Sequence, residues 1–463
     1  MTVLGLAVLA GAIAAAGVFV SRNVDRLAGV RPAGALALIA MTPLIPFIGI
    51  GFGVSLDDIL PVLGFGIGAA YLVSARALPI RAPRWMLWLA LAAVGLLFVA
   101  AAISSVANGV GAVSGMRLFV RGAGHMLLVF GIGAVAAVSI ARRPALREVV
   151  CLALAAVGTF EALFGLVAYV GLIPDGIGLQ AMGRGSALFG DVPGRITGTT
   201  AIAANYAGAV LLITVLVTAG LALEAATRRD RAIAWAAVAV QMVALGLTFS
   251  RAPLALALAG LVALIVLRSR AILLVPMVLA VGAAILLSPL RERFLADSTN
   301  RLALWWSAFL IMIDHPLTGS GPGLSRVVAR ANPERYVFTE LGRAPATAHN
   351  AILHGGAEMG VLGLLGFLLT YVLLAIVGLL AAVRAIRAGD TLALALALAL
   401  GGFLAQGMVN NLMTVGMTSV LGGLLAGTVA AGVLSDALVP APAPSRDTGR
   451  RAGVGRTALH SRP

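Results

Sequence analysis

The sequence predicts an all-α, polytopic integral membrane protein with about 12–13 transmembrane helices. Of its 463 residues, 60% are hydrophobic and only 11% are charged, whereas about a quarter of the residues in soluble domains are charged. The mean hydropathy is +1.04. Apolar runs of about 18 to 24 residues recur from one end of the chain to the other, and this length crosses the ~30 Å hydrocarbon layer as a helix. An ordinary soluble enzyme is therefore excluded.

Thirteen apolar runs meet this length criterion and are predicted to form one transmembrane domain, residues 1–436. The run at 351–381 is long enough to contain a break. The remaining residues, 437–463, are Pro-rich and basic with little to bury, and we expect a disordered cytoplasmic tail. The predicted spans are 2–20, 34–52, 58–76, 86–105, 122–140, 149–172, 200–222, 232–249, 252–267, 271–288, 351–381, 391–409 and 417–434.

The charge distribution predicts the topology. All 33 basic residues are arginines, against 18 acidic residues, which gives a net charge of +15. In a soluble chain such a balance would suggest nucleic acid. Here 21 of the 33 arginines lie in one set of alternating loops and in the tail, as the positive-inside rule requires of cytoplasmic loops. We therefore expect no nucleic-acid partner, an outside N-terminus and an inside tail.

Two loops on the opposite, outer side are too long and too polar to be simple connections. They are residues 173–199 and residues 289–350, and loops of such length are commonly functional or disordered. Part of the larger loop should form an amphipathic helix against the membrane surface. Its apolar residues at helical spacing are Trp305, Trp306, Phe309, Leu310 and Ile313.

Several outer arginines are not required by topology. Arg251 lies in the sequence TFSRAP (248–253), in a tight turn between two spans. It is either a functional cation or an arginine that snorkels to the interface. Arg117, Arg121 and His125 follow an i, i+4, i+8 spacing that places them on one helix face. They mark either an anionic ligand or a pathway, or they pair with Glu161.

Two further motifs lie at the end of the large loop. The sequence DHPLTGSGPG (314–323) is a Gly/Pro turn that would let backbone amides approach a ligand. The sequence AHNAILHGGAEMGVLG (348–363) places His349 at the mouth of a span, where an imidazole can exchange a proton near neutral pH. His354 and Glu358, spaced i, i+4, can instead pair with each other.

The chemistry-bearing residues exclude several reaction types. No carboxylate pair stands out, and the sequence contains no Ser-His-Asp signature, no H-E-x-x-H motif and no Cys/His cluster. Its single cysteine, Cys151, lies in an apolar run typical of a buried core position. We therefore expect neither a metal nor a cofactor. What remains is an outward site of arginine and histidine, which suits a lipid diphosphate. Arginine binds phosphate oxygens bidentately, and histidine can deprotonate an acceptor hydroxyl.

These motifs resemble the O-antigen ligase and polymerase superfamily of bacterial membrane glycosyltransferases. The resemblance covers roughly residues 180–380. It rests on RITGTTAIAANYAG (195–208), on TFSRAP, on the Arg301–Trp305 region followed by DHPLTGSGPG, and on the AHNAILHGGAEMGVLG sequence. The resemblance implies a helical membrane protein that transfers a glycan from undecaprenyl diphosphate to an acceptor. The reaction would take place on the outer side of the inner membrane and without a metal.

The resemblance also implies roles for individual residues. Arg251 and Arg301 would hold the diphosphate, His349 would be the acid/base residue, and Arg195 and Asn205 match weaker family positions. The partners would be a lipid-linked glycan donor, a glycan, lipid or protein acceptor, and membrane lipids. The thirteenth span and the outside N-terminus depart from the twelve spans usual for ligases. Further candidate substrate-binding residues are Asn350, Arg117, Arg121 and His315.

Three other functions remain open from the sequence. A polysaccharide polymerase would share the same motifs and donor chemistry. A secondary transporter or flippase for an anionic solute is suggested by the intramembrane charges His125 and Glu161, although the special residues cluster on one side and no inverted repeat is evident. A purely structural assembly partner would leave the outer arginines without a role.

Overall fold

The computed structural model describes most of the second half of the chain and parts of the first. Of the described residues, 84% are helical and very few are in strands, so the predicted all-α class is confirmed. The predicted spans 2–20, 58–76 and 271–288 lie outside the described residues, as does nearly all of the predicted tail. The described ranges are 31–44, 49–51, 54–55, 83–109, 112–119, 125–173, 177–180, 194–200, 203–269, 290–338, 348–414 and 416–438.

Fourteen α-helices and two short strand pairs make up the regular structure of these ranges. The strands are β1 (Gly49–Gly51), β2 (Val54–Ser55), β3 (Leu179–Gln180) and β4 (Arg195–Ile196), paired β1 with β2 and β3 with β4, both antiparallel. The helices are α1 (Arg31–Ala40), α2 (Arg84–Asn108), α3 (Ala112–Phe119), α4 (His125–Arg142), α5 (Ala145–Tyr169), α6 (Ala204–Glu224), α7 (Arg228–Leu247), α8 (Arg251–Ser269), α9 (Leu290–Asp314), α10 (Ser325–Ala331), α11 (Pro333–Tyr336), α12 (Ala351–Ala388), α13 (Thr391–Gly407) and α14 (Gly416–Leu438).

Nine of these helices coincide with predicted spans. Within the described ranges, α2, α5, α6, α7, α12 and α14 are long and apolar enough to cross a membrane, and α4, α8 and α13 contain shorter apolar helical segments. Exposed leucine, valine and aromatic side chains along α2 and α12 form an apolar outer surface suited to lipid. The chain is thus a multi-pass membrane protein.

The predicted span at 34–52 is wrong. Helix α1 ends at Ala40, a 3₁₀ turn covers Thr42–Leu44, and β1 follows at Gly49–Gly51. Proline lacks the N–H that an α-helix needs, and Pro43 stands where the helix would have to continue. The hydroxyl of Thr42 donates a hydrogen bond to the Ile39 carbonyl oxygen at 2.7 Å, which closes the helix end locally.

Helix α6 lies at the centre of the bundle, and glycines set its register against α13. Gly220 of α6 packs against Leu392 and Ala395, whereas Leu212, about two turns earlier in α6, packs against Gly402. The two helices are therefore antiparallel. Extending this register at 1.5 Å per residue places the start of α6 level with the turn that follows α13.

Helix α8 runs parallel to α6. Gly208 near the start of α6 faces Pro253 near the start of α8, and Gly260 faces Leu216 further along both helices. Helix α8 also packs against α13. The beginnings of α6 and α8 and the end of α13 consequently lie at one end of the bundle, which we call the motif end (residues 194–200, 203–205, 248–251, 349–350 and 408–410).

The opposite end collects the arginines of several helix termini. There Arg147 Nη1 forms a salt bridge with Asp390 Oδ2 at 2.5 Å, and the Leu392 amide donates to Glu224 Oε1 at 2.8 Å. We call it the arginine-rich end. The arginines of this end whose side chains are described are Arg84, Arg142, Arg143, Arg147, Arg228, Arg229, Arg231, Arg384 and Arg387.

The last helix is held by close backbone approach. A Cβ atom at Gly423 would lie 2.6 Å from the Val129 carbonyl oxygen, and one at Gly427 would lie 2.2 Å from the Gly133 carbonyl oxygen. Gly423 and Gly427 form a G-x-x-x-G pair, the pattern that lets membrane helices pack tightly. Helix α14 therefore docks closely on α4.

Candidate active site

The turn between α7 and α8 brings Arg195 and Asn205 together. Arg195 Nε donates to the Thr248 carbonyl oxygen at 2.8 Å, and its Nη2 donates to Asn205 Oδ1 at 2.9 Å and to Ser250 Oγ at 3.1 Å. Ser250 Oγ also donates to Asn205 Oδ1 at 2.9 Å. These bonds join β4, the start of α6 and the start of α8 into one network, so two of the predicted residues meet as expected.

Arg251 follows directly and is the first residue of α8. It is partly exposed, and the preceding Ser250 is buried and fixed by the Arg195 network. The starts of α6 and α8 both lie at the motif end, and helix N-termini carry partial positive charge that favours anions. Arg251 thus lies beside two helix N-termini and directly after a turn that is fixed by hydrogen bonds. An arginine that only snorkels to the interface requires neither feature.

Glu161 holds the segment that carries Arg195. Its side chain is buried and accepts hydrogen bonds from the Thr199 amide at 2.8 Å and from the Thr199 hydroxyl. Gly198 has φ 63°, and a Cβ there would overlap the Glu161 carboxylate. Glu161 is therefore a structural anchor for residues 195–200.

The proposed pairing of Glu161 with the other outer cations is not visible. The backbone of His125 begins α4, and the side chains of Arg117 and His125 and all of Arg121 lie outside the described residues. Their assignment to an anionic ligand stays a prediction.

A second turn positions His349 at the start of α12. His349 Nδ1 lies 3.1 Å from Asn410 Oδ1. Asn350 is buried and caps the helix, since its Oδ1 accepts from the Ile352 and Leu353 amides at 3.0 Å each. Its Nδ2 donates to the Met408 carbonyl oxygen at 3.2 Å. Asn350, predicted to bind substrate, is engaged at both ends of its amide in fixing the backbone beside His349.

Backbone strain marks both turns. Phe249 and His349, each with φ 50°, are the non-glycine residues with positive φ in the described part of the chain. This region costs such residues on the order of 1–3 kcal/mol and persists where the surrounding structure enforces it, often at functional sites. One strained residue lies two positions before Arg251, and the other is the predicted base itself.

The glycine-rich turn at 316–323 serves a different purpose from the one predicted. The Ser320 amide donates to the Ala357 carbonyl oxygen at 2.8 Å, and the Gly321 amide donates to the Glu358 carbonyl oxygen at 3.0 Å. The Val361 amide in turn donates to the Pro316 carbonyl oxygen at 2.8 Å. The interpretation of these two amides as ligand donors is wrong, because they stabilise a break in α12.

The break in α12, expected from its length, lies at Gly360 with φ 69° and ψ −165°. A Cβ at Gly355 would lie 2.3 Å from the ring of Phe367, although residues twelve apart in a straight helix are ~18 Å apart. The first two turns of α12 therefore fold back on the rest of the helix. In this folded segment His354 Nε2 lies 3.3 Å from Glu358 Oε1, so this pair forms as predicted.

The remaining candidates lie on or next to α9, a helix in the large loop as predicted. Ala308 and Ile311 are buried, and α9 packs on α12. Trp306 is exposed and stacks on Phe309 with ring centroids 5.5 Å apart. Arg301 lies half-buried near the middle of α9, and His315 is exposed just beyond its end, with its amide bonded to the Ile311 carbonyl oxygen at 3.0 Å.

Cys151 is fully buried, as predicted. Among the described residues, no group of three His, Cys, Asp or Glu side chains could hold a metal ion. The sequence interpretation missed Ser250 and Asn410. The signal for Asn410 was present as an isolated Asn-Asn pair in an otherwise apolar segment.

The register of α6 against α13 places the Arg195 network and the His349–Asn410 contact at the same end of the bundle. Residues 232–368, which include Arg251, Arg301 and His349, match the family model described as O-Antigen ligase. No curated protein matches the chain. The chain thus carries an O-antigen ligase domain at residues 232–368, as the resemblance of its motifs predicts.

Proposed function

We propose that this protein is an O-antigen ligase-like glycosyltransferase that moves a glycan from undecaprenyl diphosphate to an acceptor hydroxyl without a metal. The observation that carries this proposal is the pair of strained turns at the motif end. One supports a partly exposed arginine, Arg251, and the other supports a histidine, His349. Cation and base are the two groups that this transfer needs.

The proposed location is the outer face of the cytoplasmic membrane. The arginine-rich end satisfies the positive-inside rule if it faces the cytoplasm, and the motif end is then outside. We propose that residues 1–436 form one transmembrane domain and that residues 437–463 form a cytoplasmic tail.

Cysteine labelling tests this topology. Arg326→Cys, made in a Cys151→Ala background, changes an exposed position in the large loop. It should react with a membrane-impermeant thiol reagent in intact cells whose outer layer has been permeabilised. Arg229→Cys should not react, and the opposite pattern would invert the topology.

The proposed reaction gives distinct roles to residues of the motif end and to Arg301 of α9. The acceptor oxygen attacks the anomeric carbon, the bond from that carbon to the diphosphate oxygen breaks, and the diphosphate leaves with the bonding electrons. The neutral imidazole of His349 takes the acceptor proton. Arg251 and Arg301 bind the diphosphate and stabilise its developing charge. Arg195 is engaged by Thr248, Asn205 and Ser250, so it orients the turn of Arg251 and adds positive charge.

Two of the other functions left open by the sequence are a transporter and a polymerase. A transporter fits the structure less well, and a polymerase differs from a ligase only in its acceptor. Transport rests on intramembrane charges, but the carboxylate of Glu161 is bonded to Thr199. A polymerase would use the same donor chemistry with a growing glycan as acceptor. In a deletion strain, accumulation of full-length glycan on the lipid diphosphate would indicate a ligase. Accumulation of single repeat units would indicate a polymerase.

The direct test is glycan transfer by purified protein in liposomes with lipid-linked donor and EDTA present. A general base contributes typically ~10²–10⁴-fold, so His349→Ala should lower turnover by about this factor while donor binding is retained. His460→Ala, in the tail, is the matched histidine control and should transfer normally. Normal turnover by His349→Ala, or loss of wild-type turnover on adding EDTA, would contradict the proposal.

A further inference from the structure

We propose that Asn410 is a positioning residue that holds the His349 ring in the tautomer with its lone pair on Nε2. This inference rests on the proposed function of His349 as a base. Asn410 lies outside residues 232–368, the region that matches the O-antigen ligase family model. The turn that follows α13 would therefore add a residue to the site from outside the matched domain.

The tautomer follows from the contact. His349 Nδ1 lies 3.1 Å from Asn410 Oδ1, and an amide oxygen can only accept a hydrogen bond. With Oδ1 facing the ring, the proton of the neutral imidazole lies on Nδ1. Since a neutral imidazole carries one proton, the basic lone pair is on Nε2, the nitrogen that would receive the proton of the acceptor hydroxyl.

The same turn fixes both the ring and the backbone of the base. Asn410 is 2% exposed, and the turn before it is closed by the Met408 and Val409 amides, which donate to the Ala405 and Gln406 carbonyl oxygens. Met408 accepts the Asn350 amide at 3.2 Å. Two consecutive residues of the 349–350 turn thus bond to two residues of the 408–410 turn.

Proton transfer would strengthen this contact. When Nε2 accepts the proton, the ring becomes a cation while Nδ1–H still points at Asn410 Oδ1. Hydrogen bonds from a charged donor are shorter and stronger than neutral ones. The asparagine would therefore stabilise the protonated base as well as orient it.

Two substitutions separate this role from simple packing. Asn410→Leu keeps the approximate volume and removes the acceptor, and Asn410→Asp keeps an acceptor oxygen. We expect Asn410→Leu to lower kcat about 10- to 100-fold with KM for the lipid-linked donor unchanged. This is a smaller loss than the ~10⁴-fold seen when the carboxylate behind a triad histidine is replaced by an amide. Asn410→Asp should return kcat to within a few-fold of wild type.

The spectroscopic readout is ¹⁵N NMR of protein labelled at its five histidines, with His349→Ala identifying the His349 signals. Wild type should show a protonated Nδ1, and Asn410→Leu should show a mixture of tautomers. A protonated Nε2 in wild type would overturn the inference. So would wild-type kcat in Asn410→Leu, or an equal loss of kcat in both Asn410 variants with unchanged tautomers. Full turnover by His349→Ala would instead overturn the proposed function itself.

Discussion

The glycine-rich turn at 316–323 and the two strained turns at 248–251 and 349–350 all carry motifs singled out from the sequence, but the first uses its backbone groups and the other two use side chains. In the glycine-rich turn, the Ser320 and Gly321 amides and the Pro316 carbonyl oxygen form backbone hydrogen bonds with the region of α12 around its break. The strained turns instead present side chains, Arg251 and His349, and place a non-glycine residue at φ 50° to do so.

This difference separates a turn that stabilises the fold from turns that present side chains for the proposed reaction. Glycines at 319 and 360 allow two backbones to approach so closely that no Cβ fits between them. In the strained turns, side-chain hydrogen bonds from Arg195 and Asn350 enforce the unfavourable conformation. We therefore expect changes in the first region to act on stability, and changes in the second to act on turnover.

The largest expected effect is on folding, from Gly360→Ala. Gly360 has φ 69° and ψ −165°, a conformation close to the region essentially restricted to glycine, at a cost of order 1–3 kcal/mol for other residues. Its new Cβ would lie 2.4 Å from the Pro316 carbonyl oxygen, and overpacking adds about 1–3 kcal/mol. Thermal unfolding in detergent should show a strongly lowered transition or no folded protein.

Gly389→Ala is the matched control. Gly389 also has φ 69°, but nothing lies within 4 Å of its would-be Cβ, so only the left-handed conformation is penalised, by about 1–2 kcal/mol. Equal unfolding temperatures for the two variants would show that the contact between the glycine-rich turn and α12 contributes nothing.

The second effect is on turnover, from Arg251→Lys. An ammonium keeps the charge but cannot engage two phosphate oxygens in the planar fork of a guanidinium. By analogy with removal of one preorganised donor, we expect turnover to fall about 10²–10³-fold, with the unfolding temperature unchanged. Arg326→Lys, at an exposed position of α10, should transfer normally. Wild-type transfer by Arg251→Lys would reduce Arg251 to an interfacial cation.

The smallest effect concerns helix caps, from Asn350→Ala. Loss of an N-cap side chain costs about 0.5–2 kcal/mol, and Thr227→Ala removes the cap of α7 at the arginine-rich end, where Thr227 Oγ1 accepts from the Asp230 amide at 3.0 Å. Both variants should lower stability similarly. Only Asn350→Ala should also lower turnover, because it releases the backbone of His349. Equal turnover in the two variants would remove the positioning role of Asn350.

The sequence predicted what depends on local patterns. Nine spans and the break in α12 follow from the lengths of apolar runs, and the helix of the large loop follows from apolar periodicity. Arg195 and Asn205 were found through motifs that do meet. Polar contacts between distant segments were beyond it. Asn410 is 61 residues from His349, and no periodicity reveals that two amides of the glycine-rich turn face α12. At 34–52 apolar composition outweighed the effect of Pro43, which ends the helix.

The central claim is that the two strained turns form one site at the motif end, and cysteine cross-linking tests it most directly. In a Cys151→Ala background, the pair Ala252→Cys and Met408→Cys joins the start of α8 to the end of α13. The control pair Thr227→Cys and Met408→Cys spans opposite ends of the bundle, ~30 Å apart at 1.5 Å per helical residue. A short bifunctional thiol reagent should cross-link the first pair and not the second. Cross-linking of the control pair, or none in the first, would contradict a single site built from both turns.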